Sequence, residues 1–410
     1  MYTTEPAEAR IEAAGNVLVA PPTVREAELG GEFLGTTVTP ERLASGAPDL
    51  RGRTVYLCGD LSRFDGEPLR AAARVFVVRE LSQGADGDLD PSWSPVGVGR
   101  IPLRVHGVGV YYRRFFEPGA GHYGRIRAEH EFQSLTESTK PGTAHRSGIY
   151  LTPVTRDGDA LHFRLLRCST NLSGPTEGFG PTDTEVVGEL NREAAAVLRD
   201  HAPLNHVLAQ VYRNTGATAE RRQSKARISA HADKTKDMPA HGVMAFCTFY
   251  DGLDRLRPMP GDAFDLGAKG TSGLTRLHFR LKETAAREAE EGGLPARFTV
   301  TLHPGSVFFA PLSTNRLYTH EIRPSGLDAD LLPTRLGYVV RCSDTEAVHR
   351  DGRTFLKRGG DVVELEAPTP EGMEELRRLY AEENATSSPV DYGDRFLFSM
   401  NAGDYRAPRP

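Results

Sequence analysis

The sequence predicts a mainly β fold with flanking helices, of the α+β class, with a sandwich or jelly roll at its core. Two observations support this class. The 410 residues include 42 Gly and 28 Pro, which argues for many turns and short strands. Between residues 207 and 341, eight strand-like runs follow one another without an intervening helical pattern. Such a succession is typical of a sandwich or jelly roll and not of a parallel βαβ sheet.

The N-terminal part of the chain divides into two predicted regions. Residues 1–50 are polar and broken by Pro and Gly, so we expect a loosely packed N-terminal extension. Residues 51–180 are expected to be a β-rich region that packs on the core. The first strands expected there are Thr54–Leu57, Ala73–Val78 and Val105–Tyr112. Further on, Gly148–Val154 and Ala160–Leu166 predict a hairpin, because an Asp-Gly turn lies between them.

Residues 181–345 form the predicted core. A helix opens it, because Pro181-Thr182-Asp183 offers a cap and apolar residues then recur at helical spacing up to Arg199. The strands expected after this helix are Val207–Tyr212, Ala226–His231, Val243–Tyr250, Arg276–Lys282, Arg297–Leu302, Ser306–Ala310, Arg316–Ile322 and Arg335–Arg341. Residues 346–410 are predicted to be a C-terminal helix and tail, with the helix beginning at Thr369-Pro370.

Composition excludes several classes of protein. A formal net charge of −5 excludes a protein held to nucleic acid by its overall charge. The 4 cysteines lie far apart without a CxxC pair, so a zinc ribbon is excluded and a reduced, intracellular chain is favoured. The N-terminus lacks the pattern of a secretory signal, and the longest apolar runs are strand-sized. We therefore expect a cytoplasmic protein without a membrane partner.

A His-x-Asp triplet, His231-Ala232-Asp233, ends one of the predicted strands. Residues i and i+2 of a strand point to the same face, about 6.5 Å apart, so this imidazole and carboxylate can converge on one metal ion. A second His must arrive from elsewhere to complete a 2-His-1-carboxylate set. Composition alone predicts about one such triplet by chance. A second one, His349-Arg350-Asp351, lies in a charged stretch and is interpreted as a solvent-exposed hairpin.

Residues further along the chain strengthen the interpretation of the first triplet as part of a metal site. His320 lies on a later predicted strand, and Arg335 and Arg341 follow on the next. Their even separation places the two Arg side chains on one face of the strand. Inside a barrel they would need anionic partners, and a dicarboxylate would fit because guanidinium forks bind carboxylates bidentately. The alternative is a pair of surface arginines on an edge strand.

Four segments in order resemble the iron(II)/2-oxoglutarate-dependent oxygenases, and within them the AlkB-like dealkylases. The segment 204–214 is similar to the strand that carries co-substrate contacts, with Gln210 where the family has Asn. The segment 226–234 resembles the His-x-Asp metal strand, and 316–322 resembles the strand of the second His. The run 335–341 has the family's Arg-x5-Arg spacing. The similarity spans residues 204–343.

This resemblance implies a double-stranded β-helix (jelly-roll) core with N-terminal additions. It implies Fe(II), 2-oxoglutarate as co-substrate, and O2, with release of succinate and CO2. The implied metal ligands, which are also the catalytic residues, are His231, Asp233 and His320. The implied co-substrate contacts are Arg335, which would clamp the far carboxylate, and Arg341, Tyr212 and Gln210. The carboxylate of Asp233 favours hydroxylation, because related halogenases lack it.

The substrate is argued from the departures from the family. The long interval between His231 and His320 and the large N-terminal additions favour a small molecule over duplex DNA. Basic residues surround the metal strand and could bind a phosphate, or they could form a solvated loop: Arg213, Arg221, Arg222, Lys225, Arg227, Lys234 and Lys236. The first hypothesis is therefore a hydroxylase of a small molecule of specialised metabolism, with a nucleoside or nucleotide among the candidates. The alternatives are an AlkB-type dealkylase of nucleic acid and a non-catalytic jelly-roll binding protein.

Overall fold

The computed structural model describes residues 8–64, 66–87, 89–136, 143–167 and 172–410. The strands and helices up to residue 164 are β1 (Arg10–Ile11), β2 (Asn16–Val19), α1 (Glu26–Leu29), β3 (Thr36–Val38), α2 (Pro40–Ala44), β4 (Thr54–Asp60), α3 (Gly66–Leu69), β5 (Arg74–Gln83), β6 (Trp93–Val96), β7 (Leu103–Val105), β8 (Gly109–Tyr112), α4 (His122–Glu129), β9 (Gln133–Thr136), β10 (Thr143–Leu151), β11 (Thr155–Asp157) and β12 (Ala160–Arg164). Those that follow are α5 (Pro181–Val197), β13 (Leu198–Arg199), β14 (His206–Tyr212), β15 (Ile228–His231), β16 (Val243–Asp251), β17 (Arg257–Met259), β18 (Asp262–Ala268), β19 (Thr271–Ser272), β20 (Arg276–Leu281), α6 (Ala286–Gly292), β21 (Arg297–Thr301), β22 (Val307–Pro311), α7 (Leu312–Leu317), β23 (Tyr318–Arg323), β24 (Thr334–Arg341), β25 (Glu346–Arg350), β26 (Arg353–Arg358), β27 (Asp361–Glu364) and α8 (Pro370–Ala385).

Two antiparallel sheets face each other and form the centre of the molecule. The larger, here called the major sheet, has the order β7-β8-β22-β16-β24-β14-β10-β9, and the smaller, the minor sheet, has the order β15-β23-β20-β21. Aromatic side chains fill the space between them, such as Phe246 and Phe308 from the major sheet and Phe279 from the minor sheet. Each of the eight strand-like runs expected between residues 207 and 341 contains a strand of one of these sheets. The mainly β prediction is confirmed.

One of these strands begins later than expected. The prediction started a strand at Arg316, but residues 312–317 form the short helix α7, and β23 begins at Tyr318. The helix follows Pro311, which ends β22 and suits the start of a helix because its ring fixes φ. His320 lies on β23 as expected.

The expected loose extension is wrong for residues 10–50. Strand β2, with all of its residues buried, is an inner strand of a parallel sheet of order β3-β2-β4-β5-β6. The short apolar run Val17-Leu18-Val19 is what a parallel strand covered on both faces requires. Residues 1–7 of the expected extension lie outside the described part of the chain. The division of the chain at residues 180 and 345 stays a prediction.

The expected hairpin also forms between different strands. The Asp-Gly turn joins β11 to β12, and Gly158 takes the positive φ of 56° that such a turn needs. Strand β10, expected to be the first arm, instead pairs with β14 and β9 in the major sheet. This pairing matters for the site, because it places β10 beside β14.

The second His-x-Asp triplet lies in a hairpin, as expected, with β25 and β26 joined at Asp351-Gly352. The expected exposure is wrong for His349, which is buried with its Nδ1 atom 3.0 Å from Oγ1 of Thr354. His349 faces inward on its strand and makes a structural hydrogen bond. It lies in a different sheet from His231.

The two helices expected from the sequence pattern are present as α5 and α8. Helix α5 packs its apolar face on the outer side of the major sheet, through residues such as Val186 and Leu190. Helix α8 begins after Thr369, whose hydroxyl accepts a hydrogen bond from the backbone N–H of Gly372. None of the helices in the described ranges combines the length and the apolar character that crossing a lipid bilayer requires.

Candidate functional site

Two imidazoles and one carboxylate converge between the sheets. His231 on β15 lies directly opposite His320 on β23 in the antiparallel register, and their ring centroids are 4.5 Å apart. Oδ1 of Asp233 lies 3.5 Å from Nε2 of His231 and 3.8 Å from Nε2 of His320. The structure therefore brings the predicted metal ligands together, although the second His is distant in sequence.

The hydrogen bonds of the first imidazole fix its tautomer. Nδ1 of His231 lies 2.9 Å from the carbonyl oxygen of Ser229, which can only accept, so Nδ1 carries the proton. Nε2, on the side of Asp233, then keeps its lone pair for a metal ion in the neutral ring. Burial lowers the pKa of His320 to about 3, so this second imidazole is neutral and able to donate a lone pair.

The carboxylate is held from two directions. The backbone N–H of Asp233 donates to Oδ1 of Asn315 at 2.7 Å, and Nδ2 of Asn315 donates to the carbonyl of Asp233 at 2.8 Å. Nη2 of Arg341 donates to Oδ2 of Asp233 at 2.6 Å. Burial alone would raise the pKa of Asp233, but the Arg341 guanidinium and the two imidazoles hold it well below its usual range. Oδ1 is thereby left facing the imidazoles as an ionised ligand.

At the other end of the site lies Arg335. Its guanidinium carbon is 3.9 Å from the centroid of the Tyr212 ring, and the hydroxyl of Tyr212 donates to Oε1 of Gln210 at 2.8 Å. No residue in the described part of the chain offers a hydrogen-bond partner to the buried Nε and Nη2 atoms of Arg335. Burying two unpaired donors of a permanently charged guanidinium is energetically unfavourable. An oxyanion from outside the protein would satisfy both donors.

A cavity of about 140 Å³ connects the two ends. Leu208, Phe246, Leu277 and Val339 supply apolar walls between them. All of the residues predicted for the site line this cavity: Gln210, Tyr212, His231, Asp233, His320, Arg335 and Arg341. The arrangement is a chamber with a metal-ligand set at one end, an unsatisfied cationic fork at the other, and apolar surface in the middle.

Three of the seven basic residues around the metal strand have partners within the protein. Nζ of Lys225 donates to the carbonyl of Ser325, and Nζ of Lys234 lies 4.3 Å from the Tyr380 ring centroid. Lys236 pairs with the neighbouring Asp237 at 3.0 Å. These three lysines have structural partners, which favours the structural interpretation for them.

Sequence reasoning missed three residues that serve this site. Asn315 and Asn384 hold the backbone around Asp233, the latter by accepting from the N–H of Ala232 at 2.6 Å. Arg146 on β10 lines the cavity. Nothing in the local sequence marks Asn315 or Asn384, because each acts through a contact between distant segments.

No protein-family model and no curated protein matches the sequence. Among solved structures, the chain is similar to the non-heme alpha ketoglutarate dependent epimerase SnoN from nogalamycin biosynthesis (15% identity, 59% of this chain and 80% of that chain, TM-score 0.31). It is also similar to OsALKBH1 (11% identity, 58% and 99%, TM-score 0.33) and to a prolyl-4-hydroxylase of Pseudomonas putida (10% identity, 57% and 92%, TM-score 0.29). The epimerase belongs by its description to the class that the sequence resembles. Because TM-scores this low carry no argument about function, a function can be proposed only from the side chains that line the cavity.

Proposed function

We propose that this chain is an Fe(II)/2-oxoglutarate-dependent dioxygenase that hydroxylates a small molecule and releases succinate and CO2. The observation that supports it is the pairing, in one cavity, of a His-Asp-His donor set with the buried and unsatisfied fork of Arg335. The two together match the needs of a metal ion and a dicarboxylate that bind side by side.

The donor set fits ferrous iron. His231, Asp233 and His320 would hold the ion through two neutral imidazole nitrogens and one carboxylate oxygen, a set that suits non-haem Fe(II) and leaves coordination positions open. Arg341 keeps the carboxylate ionised and oriented, as a supporting partner of a metal ligand does.

The opposite end fits 2-oxoglutarate. Arg335 would bind its far carboxylate, with Tyr212 and Gln210 beside it, and the apolar walls would cover its methylene groups. When bound, iron and 2-oxoglutarate supply, with O2, the oxidising chemistry that a protein side chain cannot provide. The chain contributes binding, orientation and the exclusion of water by its apolar walls.

We further propose that the two facing sheets form a double-stranded β-helix, since the site lies between them, and that the protein acts in the cytoplasm. The described cysteines Cys58, Cys247 and Cys342 are buried free thiols, which supports a reducing compartment. A small substrate of specialised metabolism, with a phosphate-bearing one among the candidates, is favoured over nucleic acid. The net charge of −5 and the structural pairing of the three lysines near the metal strand support this preference.

An anaerobic titration tests the proposal. Fe(II) followed by 2-oxoglutarate should produce a weak visible charge-transfer band in the wild-type protein, and His231→Ala and His320→Ala should abolish it because each removes a ligand. His278→Ala is the matched control, since His278 lies on β20 of the same sheet and contacts Thr299 instead of the site. Persistence of the band in His231→Ala would show that the metal binds elsewhere.

A further inference from the structure

Arg146 is a third guanidinium on the wall of the cavity. In the register of the major sheet it lies opposite Tyr212, which lies opposite Arg335 on the next strand. Residues paired across neighbouring strands point to the same face of a sheet, so these three side chains form one row that faces the minor sheet. Arg146 is half-buried at the end of this row.

This arginine has no ion-pair or hydrogen-bond partner among the residues that the structure describes. The cavity wall there carries three guanidiniums, those of Arg146, Arg335 and Arg341, and the carboxylate of Asp233. The charges of a ferrous ion and a 2-oxoglutarate dianion would cancel each other. Two positive charges would therefore remain in a chamber with apolar walls, which favours the entry of a further anion.

The position of Arg146 separates it from the co-substrate. Neighbouring strands are about 4.8 Å apart, so the Tyr212 strand lies between Arg146 and Arg335, and the Arg335 guanidinium already covers the Tyr212 ring. Arg146 lies toward β9, the last strand of the major sheet, across the cavity from β15, an edge strand of the minor sheet. The ligand on β15, His231, is 35% exposed, whereas His320 is 6% exposed. Arg146 and His231 are thus both partly exposed, whereas Arg335 and Arg341 are buried.

We propose that Arg146 binds an oxyanion of the substrate, a carboxylate or a phosphate, and thereby selects anionic substrates and directs their apolar part toward the metal. This inference rests on the proposed function, since it takes the Arg335 end of the cavity to be the 2-oxoglutarate site. It assigns to Arg146 a role in specificity and none in binding the co-substrate.

Calorimetry on the anaerobic protein loaded with Mn(II) and 2-oxoglutarate tests it, with inorganic phosphate and acetate as probes. At least one probe should bind the wild-type protein, and Arg146→Ala should weaken that binding about tenfold or more, because a charge-assisted bond is lost. Arg146→Lys should retain part of the affinity. Tighter binding of phosphate than of acetate would indicate a phosphate ester as the substrate, and tighter binding of acetate would indicate a carboxylic acid.

The affinity for 2-oxoglutarate, measured in the same samples, separates the two proposals. Arg146→Ala should leave it within about twofold of wild type, whereas Arg335→Ala should weaken it strongly. Arg156→Ala, on the exposed β11, is the control for loss of a positive charge. Oxyanion binding that is absent from wild type or unchanged in Arg146→Ala would overturn the role of Arg146, as would an equal loss of 2-oxoglutarate affinity in Arg146→Ala and Arg335→Ala. Failure of wild type to bind 2-oxoglutarate would instead overturn the proposed function, and this inference with it.

Discussion

At the scale of single residues, a glycine determines where the Arg335 guanidinium lies. A Cβ atom on Gly337 would lie 2.8 Å from Nη1 of Arg335 and 3.1 Å from Cε2 of Tyr212. The guanidinium therefore folds back along its own strand over Gly337, in the direction of Arg341 and the metal ligands. The missing side chain allows a residue at the far end of β24 to reach into the shared cavity.

Gly337→Ala should accordingly weaken 2-oxoglutarate binding about tenfold, because the added methyl group displaces the Arg335 fork from the cavity. Metal affinity should change little, since the ligands lie on other strands. The measurement is an anaerobic titration with 2-oxoglutarate at saturating Fe(II). Gly188→Ala, in helix α5, introduces the same change away from the site and should bind normally. Normal affinity in Gly337→Ala would show that Arg335 does not need this space.

At the scale of elements, helix α8 supports the metal strand from behind. Oδ1 of Asn384 accepts from the N–H of Ala232, between the two ligands of the triplet. The carboxylate of Glu383 accepts from the N–H of Thr235, and Nζ of Lys282, the buried residue that follows β20, donates to the carbonyl of Glu383. The C-terminal helix thus contacts the backbone of the candidate site, although it lies outside the segment that carries the sequence resemblance.

Asn384→Ala should reduce metal affinity about tenfold, because the backbone between the two ligands loses the hydrogen bond that fixes it. Metal titration followed by calorimetry measures the effect. Arg378→Ala, an exposed residue of the same helix, should bind metal like the wild type. Equal affinities for Asn384→Ala and Arg378→Ala would show that α8 supports only the fold.

At the scale of the whole molecule, a buried histidine joins distant parts of the chain. Nε2 of His130 lies 2.6 Å from the Asp183 carboxylate at the start of α5, and Nδ1 lies 3.1 Å from that of Glu177. Glu177 also accepts from Arg409, the residue before the last described one. Burial alone would lower the pKa of His130, but the two carboxylates raise it to about 9.

A folded-state pKa above the unfolded value of about 6.5 has a definite sign. The stabilisation by His130 is complete below pH 6.5 and is lost as the pH rises through 9. Relative to His130→Gln, the wild-type protein should lose on the order of 2–3 kcal/mol of unfolding free energy between pH 6 and pH 10. Urea unfolding at the two pH values measures this, with His278→Gln as the control. Parallel losses in wild type and His130→Gln would contradict it.

The strands that carry the candidate site were predictable because their signals are local. The triplet at His231, the second His and the arginine pair are each read from a short strand pattern, and the antiparallel pairing of the region follows from its turns. The parallel sheet was not predictable in the same way. Its connecting helices, α1, α2 and α3, span only four or five residues, too few for a helical periodicity to be visible. Supporting residues such as Asn315 and Asn384 were not predictable either, because their contacts form only when distant segments of the chain meet in the fold.

The membership of the major sheet limits how far this polypeptide can be shortened. Strands β7, β8, β9 and β10 come from the region before residue 181, and β10 carries Arg146 to the cavity. A fragment that starts at residue 181 would retain all four segments that resemble the oxygenases. Strands β14 and β22 would, however, lose their neighbours β10 and β8, and the backbone N–H and C=O groups along those edges would be unpaired. Shortened versions of this chain should therefore keep both the strands before residue 181 and helix α8, whose Asn384 holds the backbone beside Asp233.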